Sequence, residues 1–340
     1  MGRAVNVPKF EGNERIGWIE REIPEPGVGQ LLLEVKANAL CGSDRAQFYH
    51  GSDVTPGHEA SGVVVQAGAG TVHPVGTPGV VFLMDFCGKC RNCLRGATNQ
   101  CLNKRADMGF NRDGGYGKYM LVNENIFFPI PDNLPLTEAT LLLDVMGTGG
   151  HAIKRAELVH ADIQSVLVSG AGPIGLGVLA MAKILLGSAI PVFITDMIPY
   201  RLDLAKRLGG LPIQLKDRTL QEGLHAYGVD GVDAAIDTTG KTMARKANLD
   251  ALHQRGVLIC VGHGERLELE VSSDLIATER AVLGSEYFCY NEIATNLVHL
   301  QGNFDYLTQI ITHRFGVEHL EEAYQLFLHD GRSGKVVIEQ

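Results

Sequence analysis

The segment VLVSGAGPIG, residues 166–175, decides the fold. A short apolar run ends in the closely spaced glycines Gly170, Gly172 and Gly175, and a helical pattern follows from Ile174 to Leu186. Between a strand and a helix, the first glycine allows a tight turn and the second lets the backbone approach a pyrophosphate. The third permits close packing of the helix, whose N-terminus attracts the anion. The segment therefore predicts a dinucleotide-binding turn in an α/β unit.

Asp196 strengthens this prediction. It follows the next apolar run, Pro191–Thr195, about twenty residues beyond the glycines. An acid at this strand end accepts hydrogen bonds from ribose hydroxyls and repels a 2′-phosphate, so NAD is favoured over NADP. The alternative is an ordinary turn between a strand and a helix.

The rest of the chain has two parts with different residue patterns. Up to about residue 150 it is rich in Gly, Pro and short β-type runs, whereas strands and helices alternate from Ser165 onward, which indicates a parallel sheet of roughly six strands. The predicted β-type runs are Leu31–Val35, Gly62–Val65, Lys118–Val122, Val166–Ser169, Pro191–Thr195, Val232–Ile236, Val257–Val261, Val282–Gly284 and Lys335–Ile338. The predicted helices are Ile174–Leu186, Tyr200–Leu208, Met243–Leu252, Ile293–Ile311 and Leu320–Leu328.

Length and charge limit the classes to which the protein can belong. A chain of 340 residues exceeds the usual size of one hydrophobic core, so two domains are expected. The formal net charge of -9 disfavours nucleic acid and anionic membranes as partners. The first ten residues, MGRAVNVPKF, contain no signal-peptide core, and the longest apolar stretch is too short to cross a bilayer. A cytoplasmic location is therefore expected.

Four cysteines crowd one short stretch, with Cys87, Cys90 and Cys93 in CGKCRNC and Cys101 close behind. Four thiolates on one loop can complete a tetrahedral zinc shell with no open position, which is what a structural site requires. In a reducing compartment this interpretation is favoured over two disulfides or idle buried thiols.

A more scattered set suggests an open metal site. It comprises Cys41 in CGSD, His58 in GHE and Asp144 in DVMGTG. A thiolate, an imidazole and a carboxylate leave one position of a zinc shell for water or an alcohol oxygen. Spacing alone does not establish this set, because Cys41 can equally be a small buried apolar residue and His58 a hydrogen-bonded loop histidine.

Taken in order, these motifs resemble the zinc-containing medium-chain dehydrogenase/reductase family, which includes alcohol, polyol and sugar dehydrogenases. The resemblance covers nearly the whole chain, including the closing GKVVI at 334–338. It implies an α/β fold with a mostly-β GroES-like catalytic domain at 1–150 and a Rossmann domain with a doubly wound parallel sheet at 151–288. Residues 289–340 would return to the catalytic domain. A homodimer or homotetramer is also implied.

The resemblance assigns two zinc ions to each chain. The four-cysteine loop matches the structural site, while Cys41, His58 and Asp144 match the catalytic one. Glu59 matches an acid beside the metal that is itself a ligand in polyol dehydrogenases of the family. Which carboxylate binds zinc at rest is therefore left open.

The implied reaction is hydride transfer from an alcohol to nicotinamide C4, with zinc stabilising the alkoxide. Ser43 matches the hydroxyl that takes the alcohol proton, and Glu59 and Thr148 match the same catalytic centre. Ala46 departs from the family, since better-known members carry a proton-relaying histidine there. The resemblance implies these coenzyme-binding residues: Gly170, Gly172, Pro173, Ile174, Gly175, Asp196, Arg201 and Thr148.

The prediction of the substrate rests on Glu286 and Tyr287. These two residues occupy positions that resemble the family's substrate pocket, and simple alcohol dehydrogenases commonly carry apolar residues at these positions. A carboxylate and a phenol can hydrogen-bond extra hydroxyls, so a small hydroxylated molecule such as a sugar, polyol or cyclitol is favoured. Glu286 pointing to solvent is the alternative. A secondary-alcohol or amino-alcohol dehydrogenase is the first rival function, and an inactive NAD-binding structural or regulatory protein is the second.

Overall fold

The computed structural model describes residues 4–340, so the first three residues of the N-terminal segment discussed above lie outside it. The described strands are β1 (Ala4–Gly12), β2 (Arg15–Glu22), β3 (Gln30–Ala39), β4 (Ala60–Ala67), β5 (Pro78–Val81), β6 (Met84–Asp85), β7 (Ala106–Asp107), β8 (Tyr119–Asn123), β9 (Phe127–Pro129), β10 (Val166–Ser169), β11 (Val192–Asp196), β12 (Leu211–Gln214), β13 (Val232–Asp237), β14 (Leu252–Cys260), β15 (Ala281–Gly284), β16 (Ile311–Gly316) and β17 (Lys335–Glu339).

The α-helices are short in the first part of the chain and longer after residue 148. They are α1 (Arg45–His50), α2 (Arg91–Leu94), α3 (Leu136–Ala139), α4 (Gly149–Glu157), α5 (Pro173–Leu185), α6 (Pro199–Arg207), α7 (Leu220–His225), α8 (Thr242–Asp250), α9 (Glu292–Gly302), α10 (Phe304–Leu307) and α11 (Leu320–Gln325). None of the helices within residues 4–340 has the length and apolar character needed to cross a membrane.

The chain forms two compact units. The first comprises residues up to Leu143 together with Cys289–Gln301 and Ile311–Gln340, and the second comprises Asp144–Phe288 with Gly302–Ile310. The domain bounds given above from the resemblance, at 150 and 288, stay a prediction.

The first unit is built on a mainly antiparallel sheet with the order β16-β17-β3-β4-β5-β9, in which β8 also pairs with β3. Leu31, Leu32 and Leu33 of β3 are almost fully buried, as a central strand requires. A second buried group surrounds the rings of Phe10, Phe48, Tyr116 and Tyr324. Strand β17 comes from the end of the chain, so this sheet closes only with the last segment.

The second unit holds a parallel sheet with the order β12-β11-β10-β13-β14-β15, which is the doubly wound arrangement expected from the sequence. All four residues of β10 are buried, because helices cover both faces of such a sheet. The sixth strand, β12, was not among the predicted runs. It is a half-buried edge strand containing Pro212, and proline is tolerated at such an edge.

Two predicted helices end earlier than their patterns suggest. The pattern Met243–Leu252 ends as a helix at Asp250, and Leu252 already begins β14. The pattern Ile293–Ile311 breaks at Asn303 and gives way to α10, a 3-10 turn and then β16, which pairs in parallel with β17. Long-range pairing therefore overrides local periodicity at these two ends.

Candidate active site

Cys41, His58 and Glu59 meet in the first unit at the ends of two paired strands. Cys41 follows β3 by one residue, and His58 and Glu59 immediately precede β4, which pairs with β3. One potential ligand atom from each of the three residues lies within 4.8 Å of the others. His58 and Glu59 are buried and Cys41 is half-buried. A thiol, an imidazole and a carboxylate at this spacing fit a divalent metal such as zinc.

Asp44 orients the histidine of this group. Its Oδ1 lies 3.0 Å from Nδ1 of His58, and the two side chains are 0% and 2% exposed. With Nδ1 directed at the carboxylate, Nε2 is the ring atom that a metal would take. A carboxylate that accepts from the second nitrogen of a histidine fixes its tautomer and raises its basicity as a metal ligand.

Two tyrosines support Asp44 in turn. The Tyr324 hydroxyl donates to Asp44 Oδ2 at 3.0 Å, and the hydroxyls of Tyr324 and Tyr116 lie 3.0 Å apart. Burial, and after it the negative charge of Asp44, raises the pKa of both phenols well above the usual value of 10. Both phenols therefore stay protonated and act as donors near the carboxylate.

Glu59 has a buried basic partner. Lys335, the first residue of β17, donates from Nζ to Glu59 Oε1, and both side chains are almost completely buried. Neither Asp44 nor Lys335 was assigned a role from the sequence. Asp44 lay within the quoted CGSD motif and Lys335 within GKVVI, but Tyr116 and Tyr324 carried no sequence signal at all.

Ser43 and Asp144 belong to different units of the chain. Ser43 is exposed in the 3-10 turn Gly42–Asp44 of the first unit. Asp144 follows the last residue of that unit directly and begins a buried π-helical turn, Asp144–Thr148, in the second. π-Helical turns are rare in proteins and frequently occur at functional sites.

The three cysteines of the CGKCRNC stretch and Cys101 come together in the first unit. Potential ligand atoms of Cys87, Cys90, Cys93 and Cys101 lie within 4.8 Å of one another, with 3.4 Å between the sulfurs of Cys90 and Cys93. Cys87, Cys90, Cys93 and Cys101 are all free thiols, so the disulfide alternative is not what the structure shows. The compact set of four sulfurs fits a closed tetrahedral zinc site.

Local hydrogen bonds and burial give two of these thiols very different pKa values. Backbone N–H groups, chiefly those of Cys93 and Leu102, lower the pKa of Cys90 to about 6. Burial, with the neighbouring thiols of Cys90 and Cys101, raises the pKa of Cys93 to about 12. Thiols with such different pKa values cannot all be ionised at neutral pH unless a cation lies among them.

The glycine-rich turn of the second unit joins β10 to α5. Gly170 has φ +92°, and a Cβ at Gly175 would stand 1.7 Å from the carbonyl oxygen of Gly170. A Cβ at Gly172 would meet nothing closer than Arg201 Nη1, at 3.9 Å. Gly170 and Gly175 are thus required by the turn itself, whereas Gly172 leaves the backbone open to a ligand. Pro173 and Ile174 begin α5 and direct its N-terminus toward the turn.

Asp196 ends β11 and is tied to that turn. Its Oδ2 accepts from the Ala171 N–H at 2.8 Å, while its Oδ1 accepts from the N–H groups of Met197 and Ile198 at 2.7 and 2.9 Å. The carboxylate is therefore held beside the glycines by backbone donors.

Arg201 and Thr148 carry buried polar atoms that no described residue satisfies. The Nε of Arg201 and the Oγ1 of Thr148 have no hydrogen-bond partner within residues 4–340. Burial lowers the pKa of Arg201, and the charge of nearby Asp196 partly offsets this. Buried donors without partners are costly, so these two atoms fit a unit that binds a polar ligand, as a dinucleotide is.

Glu286 and Tyr287 follow β15 in the second unit. Glu286 Oε2 lies 3.4 Å from Nε2 of His263, and both side chains are exposed. Tyr287 has φ +49°, which is strained for an aromatic residue, and its ring lies 4.4 Å from that of Phe288. Phe288 in turn packs on Gly147 of the π-helical turn, where a Cβ would stand 2.4 Å from its ring. Packing thus holds the strained residue near this turn.

Comparison with known proteins agrees with these features. The family described as Alcohol dehydrogenase GroES-like domain matches residues 27–132, and the family described as Zinc-binding dehydrogenase matches residues 173–301. The predicted family and the two-part α/β fold class are thereby confirmed.

Individual relatives match over almost their full lengths. The uncharacterised zinc-type alcohol dehydrogenase-like protein YphC of Escherichia coli K12 is 32% identical, with 96% of each chain covered. An L-threonine 3-dehydrogenase of Rhizobium johnstonii is 31% identical, covering 95% of this chain and 94% of the relative. The crystal structure of an alcohol dehydrogenase from E. coli CFT073, complexed with NADH, has a TM-score of 0.89 at 24% identity, with 100% of each chain covered.

Proposed function

Because the chain belongs to the zinc-binding alcohol dehydrogenase family, we propose that it transfers hydride between the hydroxyl-bearing carbon of a small molecule and NAD. The observation that carries the proposal is the pair formed by Asp44 and His58 beside Cys41 and Glu59. A buried carboxylate that orients one nitrogen of a buried histidine has a clear purpose when the other nitrogen binds a metal.

Cys41, His58 and Asp144 are proposed as the protein ligands of the catalytic zinc, with Glu59 beside them. Asp144 belongs to the second unit, whereas Cys41 and His58 belong to the first. The assignment of Asp144 therefore rests on its sequence motif. Zinc and NAD, when bound, supply Lewis-acid polarisation of the substrate hydroxyl and acceptance of hydride. Ser43 takes the proton of that hydroxyl, and its exposure on the turn after Cys41 suits a group that exchanges protons with its surroundings.

The coenzyme is proposed to bind at the glycine-rich turn of the second unit. Gly172 lets the pyrophosphate approach the backbone, and Asp196 faces the ribose. Arg201 offers its unsatisfied Nε and its charge to the phosphates, while Thr148 offers its hydroxyl. The negative charge of Asp196 beside the turn supports NAD over NADP.

A polyhydroxylated substrate, such as a sugar, polyol or cyclitol, is proposed on the strength of Glu286 and Tyr287. Glu286 and His263 present an acceptor and a donor side by side, which suits a molecule with several hydroxyls. An amino-alcohol substrate is the second candidate, because the curated relatives include L-threonine 3-dehydrogenases. A homodimer or homotetramer in the cytoplasm remains part of the proposal.

The test begins with the zinc content of protein purified without chelator, measured before and after mild chelation. We expect about two zinc ions per chain, one labile and one resistant. Loss of the labile ion should abolish reduction of NAD by a panel of polyols, sugars, secondary alcohols and amino alcohols, and added zinc should restore it. One resistant ion, no labile site and no activity with any alcohol would instead identify an inactive coenzyme-binding protein.

A further inference from the structure

A cavity of about 590 Å³ lies within the first unit, and all the residues that line it fall between positions 5 and 123. Its described lining residues include none of those proposed above to hold zinc, coenzyme or substrate. We call it the hairpin cavity, because the hairpin of β1 and β2 forms one of its walls. Its size lies in the range of small-molecule sites, which enclose roughly 300–1,000 Å³.

Strand β8 forms a second wall of the hairpin cavity. Tyr119, Leu121 and Asn123 line the cavity, whereas Met120 and Val122, which alternate with them, are buried in the core. Successive side chains of a strand point to opposite faces. One face of β8 therefore packs inside the unit, and the other face is left to the cavity.

The wall formed by the hairpin is apolar except for one arginine. Val5 and Val7 of β1 line the cavity, and Val5 is the antiparallel partner of Arg21 in β2. Arg21 is half-buried, while Glu20 and Glu22 on either side of it are exposed. The alternation along β2 thus turns Arg21 toward the cavity and the carboxylate of Glu22, which borders it, away.

Two of the three arginines at the hairpin cavity already have carboxylate partners. Arg21 Nη1 donates to Asp113 Oδ1. Arg105 Nε donates to Asp85 Oδ1 at 3.0 Å, and Asp85 Oδ2 accepts from Asn123 Nδ2 at 2.6 Å. Each of the two carboxylates faces one guanidinium, so these pairs add no net charge to the walls.

Arg112 is the third arginine of the cavity, and its charge is not matched. Its backbone carbonyl accepts from the Gly109 N–H at 2.8 Å, but no hydrogen bond or ion pair within residues 4–340 involves its guanidinium. Arg112 is exposed, so the cavity is open to solvent where this residue lies. A guanidinium presents a planar fork of donors that matches a carboxylate.

We propose that the hairpin cavity binds a small organic carboxylate, with its apolar body against Val5, Val7 and Leu121 and its carboxylate paired with Arg112. The unmatched cation selects for a negative charge, and the apolar walls favour an organic ligand over an inorganic anion. This site is separate from the proposed catalytic centre. The proposal therefore goes beyond the dehydrogenase function and does not depend on it.

Calorimetric titration of the whole protein with phenylacetate tests the proposal. We expect saturable binding to a single site, and phenylacetamide, which lacks the charge, should bind about tenfold more weakly. Acetate and inorganic phosphate should bind more weakly than phenylacetate, because neither has an apolar body. Phenylacetate should also raise the melting temperature, since a ligand that binds only the folded state stabilises it.

The variant Arg112→Gln shows whether the carboxylate pairs with this arginine. The tenfold preference for phenylacetate over phenylacetamide should disappear in Arg112→Gln, because the charge that distinguishes the two ligands is gone. Arg112→Lys should retain most of the preference. Arg95→Gln is the matched control: Arg95 is an exposed arginine of the same unit that does not line the cavity, so the full preference should remain.

Three results would each overturn the proposal. The first is no saturable binding of phenylacetate, hexanoate or indoleacetate. The second is an unchanged preference in Arg112→Gln, which would place the carboxylate elsewhere, for example on the proposed catalytic zinc. The third is phosphate binding as tight as that of phenylacetate, which would mean that the apolar walls play no part. Zinc content and NAD reduction test the dehydrogenase function separately.

Discussion

Asp44 and His58 form a buried carboxylate–imidazole pair, with 3.0 Å between Oδ1 and Nδ1. Replacing Asp44 with Asn removes the charge that makes the histidine a strong ligand. We expect the affinity for the labile zinc to fall by about 10- to 100-fold, while the four-cysteine zinc is retained. Zinc titration of the chelated protein measures this. Asp113→Asn, in the same unit, is the matched control, and equal affinity in both variants would show that Asp44 does not support the metal.

Cys90→Ser should remove the resistant zinc. Its sulfur lies 3.4 Å from that of Cys93 and accepts from the Leu102 N–H at 3.4 Å, so the loop loses a ligand and a local hydrogen-bond acceptor. Metal analysis should give about one zinc per chain instead of two, and the melting temperature should fall. Cys260→Ser, outside the cluster, should keep both ions. Retention of two ions by Cys90→Ser would contradict the structural site.

Zinc binding by the four cysteines should release protons. At pH 7 Cys90, with a pKa of about 6, is already ionised, whereas Cys93, with a pKa of about 12, carries a proton that zinc must displace. Apparent affinity therefore rises with pH, roughly tenfold per pH unit for each proton released. Calorimetric titration in two buffers of different ionisation enthalpy counts the protons. A count of zero at pH 7 would contradict the assignment of acidities.

Alanine at two glycines of the coenzyme turn should have different effects, on stability at Gly175 and on NAD binding at Gly172. In Gly175→Ala the Cβ would stand 1.7 Å from the Gly170 oxygen, so the unit should lose ~1–3 kcal/mol of stability or more. Gly172 has φ -73° and open space, so Gly172→Ala should fold normally and raise the Kd for NAD about tenfold by blocking the pyrophosphate. Thermal unfolding and coenzyme titration separate the effects. Normal NAD binding by Gly172→Ala would place the coenzyme elsewhere.

Ser43→Ala should reduce turnover and leave zinc binding intact. The hydroxyl is proposed to receive the substrate proton, and general acid–base groups contribute about 10²- to 10⁴-fold to rate. Steady-state kinetics with ordinary substrate and with substrate deuterated at the hydride-donating carbon should give a smaller isotope effect in the variant, because proton transfer and not C–H cleavage then limits its turnover. Unchanged turnover would remove Ser43 from the reaction.

The sequence predicted those parts of the molecule that depend on neighbouring residues. The unit β10-α5-β11 was anticipated almost residue by residue, because strand, glycines, helix and Asp196 lie in one continuous segment. The four-cysteine loop was anticipated for the same reason. Local pattern was sufficient in both cases.

Features that depend on distant pairing were missed. Tyr324 supports Asp44 although 280 residues separate them, and Lys335 reaches Glu59 across 276 residues. The first residue of β16, Ile311, was predicted to end a helix, because the parallel partner of the strand, β17, lies beyond the periodic pattern. A single sequence contains no signal for such pairings, so the supporting residues of the candidate site emerge only from the fold.

The first unit is built from separate segments of the chain, which affects the order in which the protein can fold during synthesis. Nearly all of the second unit is one continuous segment, 144–288, and its sheet is complete before Tyr324 and Lys335 have been translated. Asp44 and Glu59 therefore cannot contact Tyr324 and Lys335 until the last part of the chain has been translated. We therefore expect the metal site proposed at Cys41 and His58 to be completed late, after the coenzyme turn of the second unit has formed.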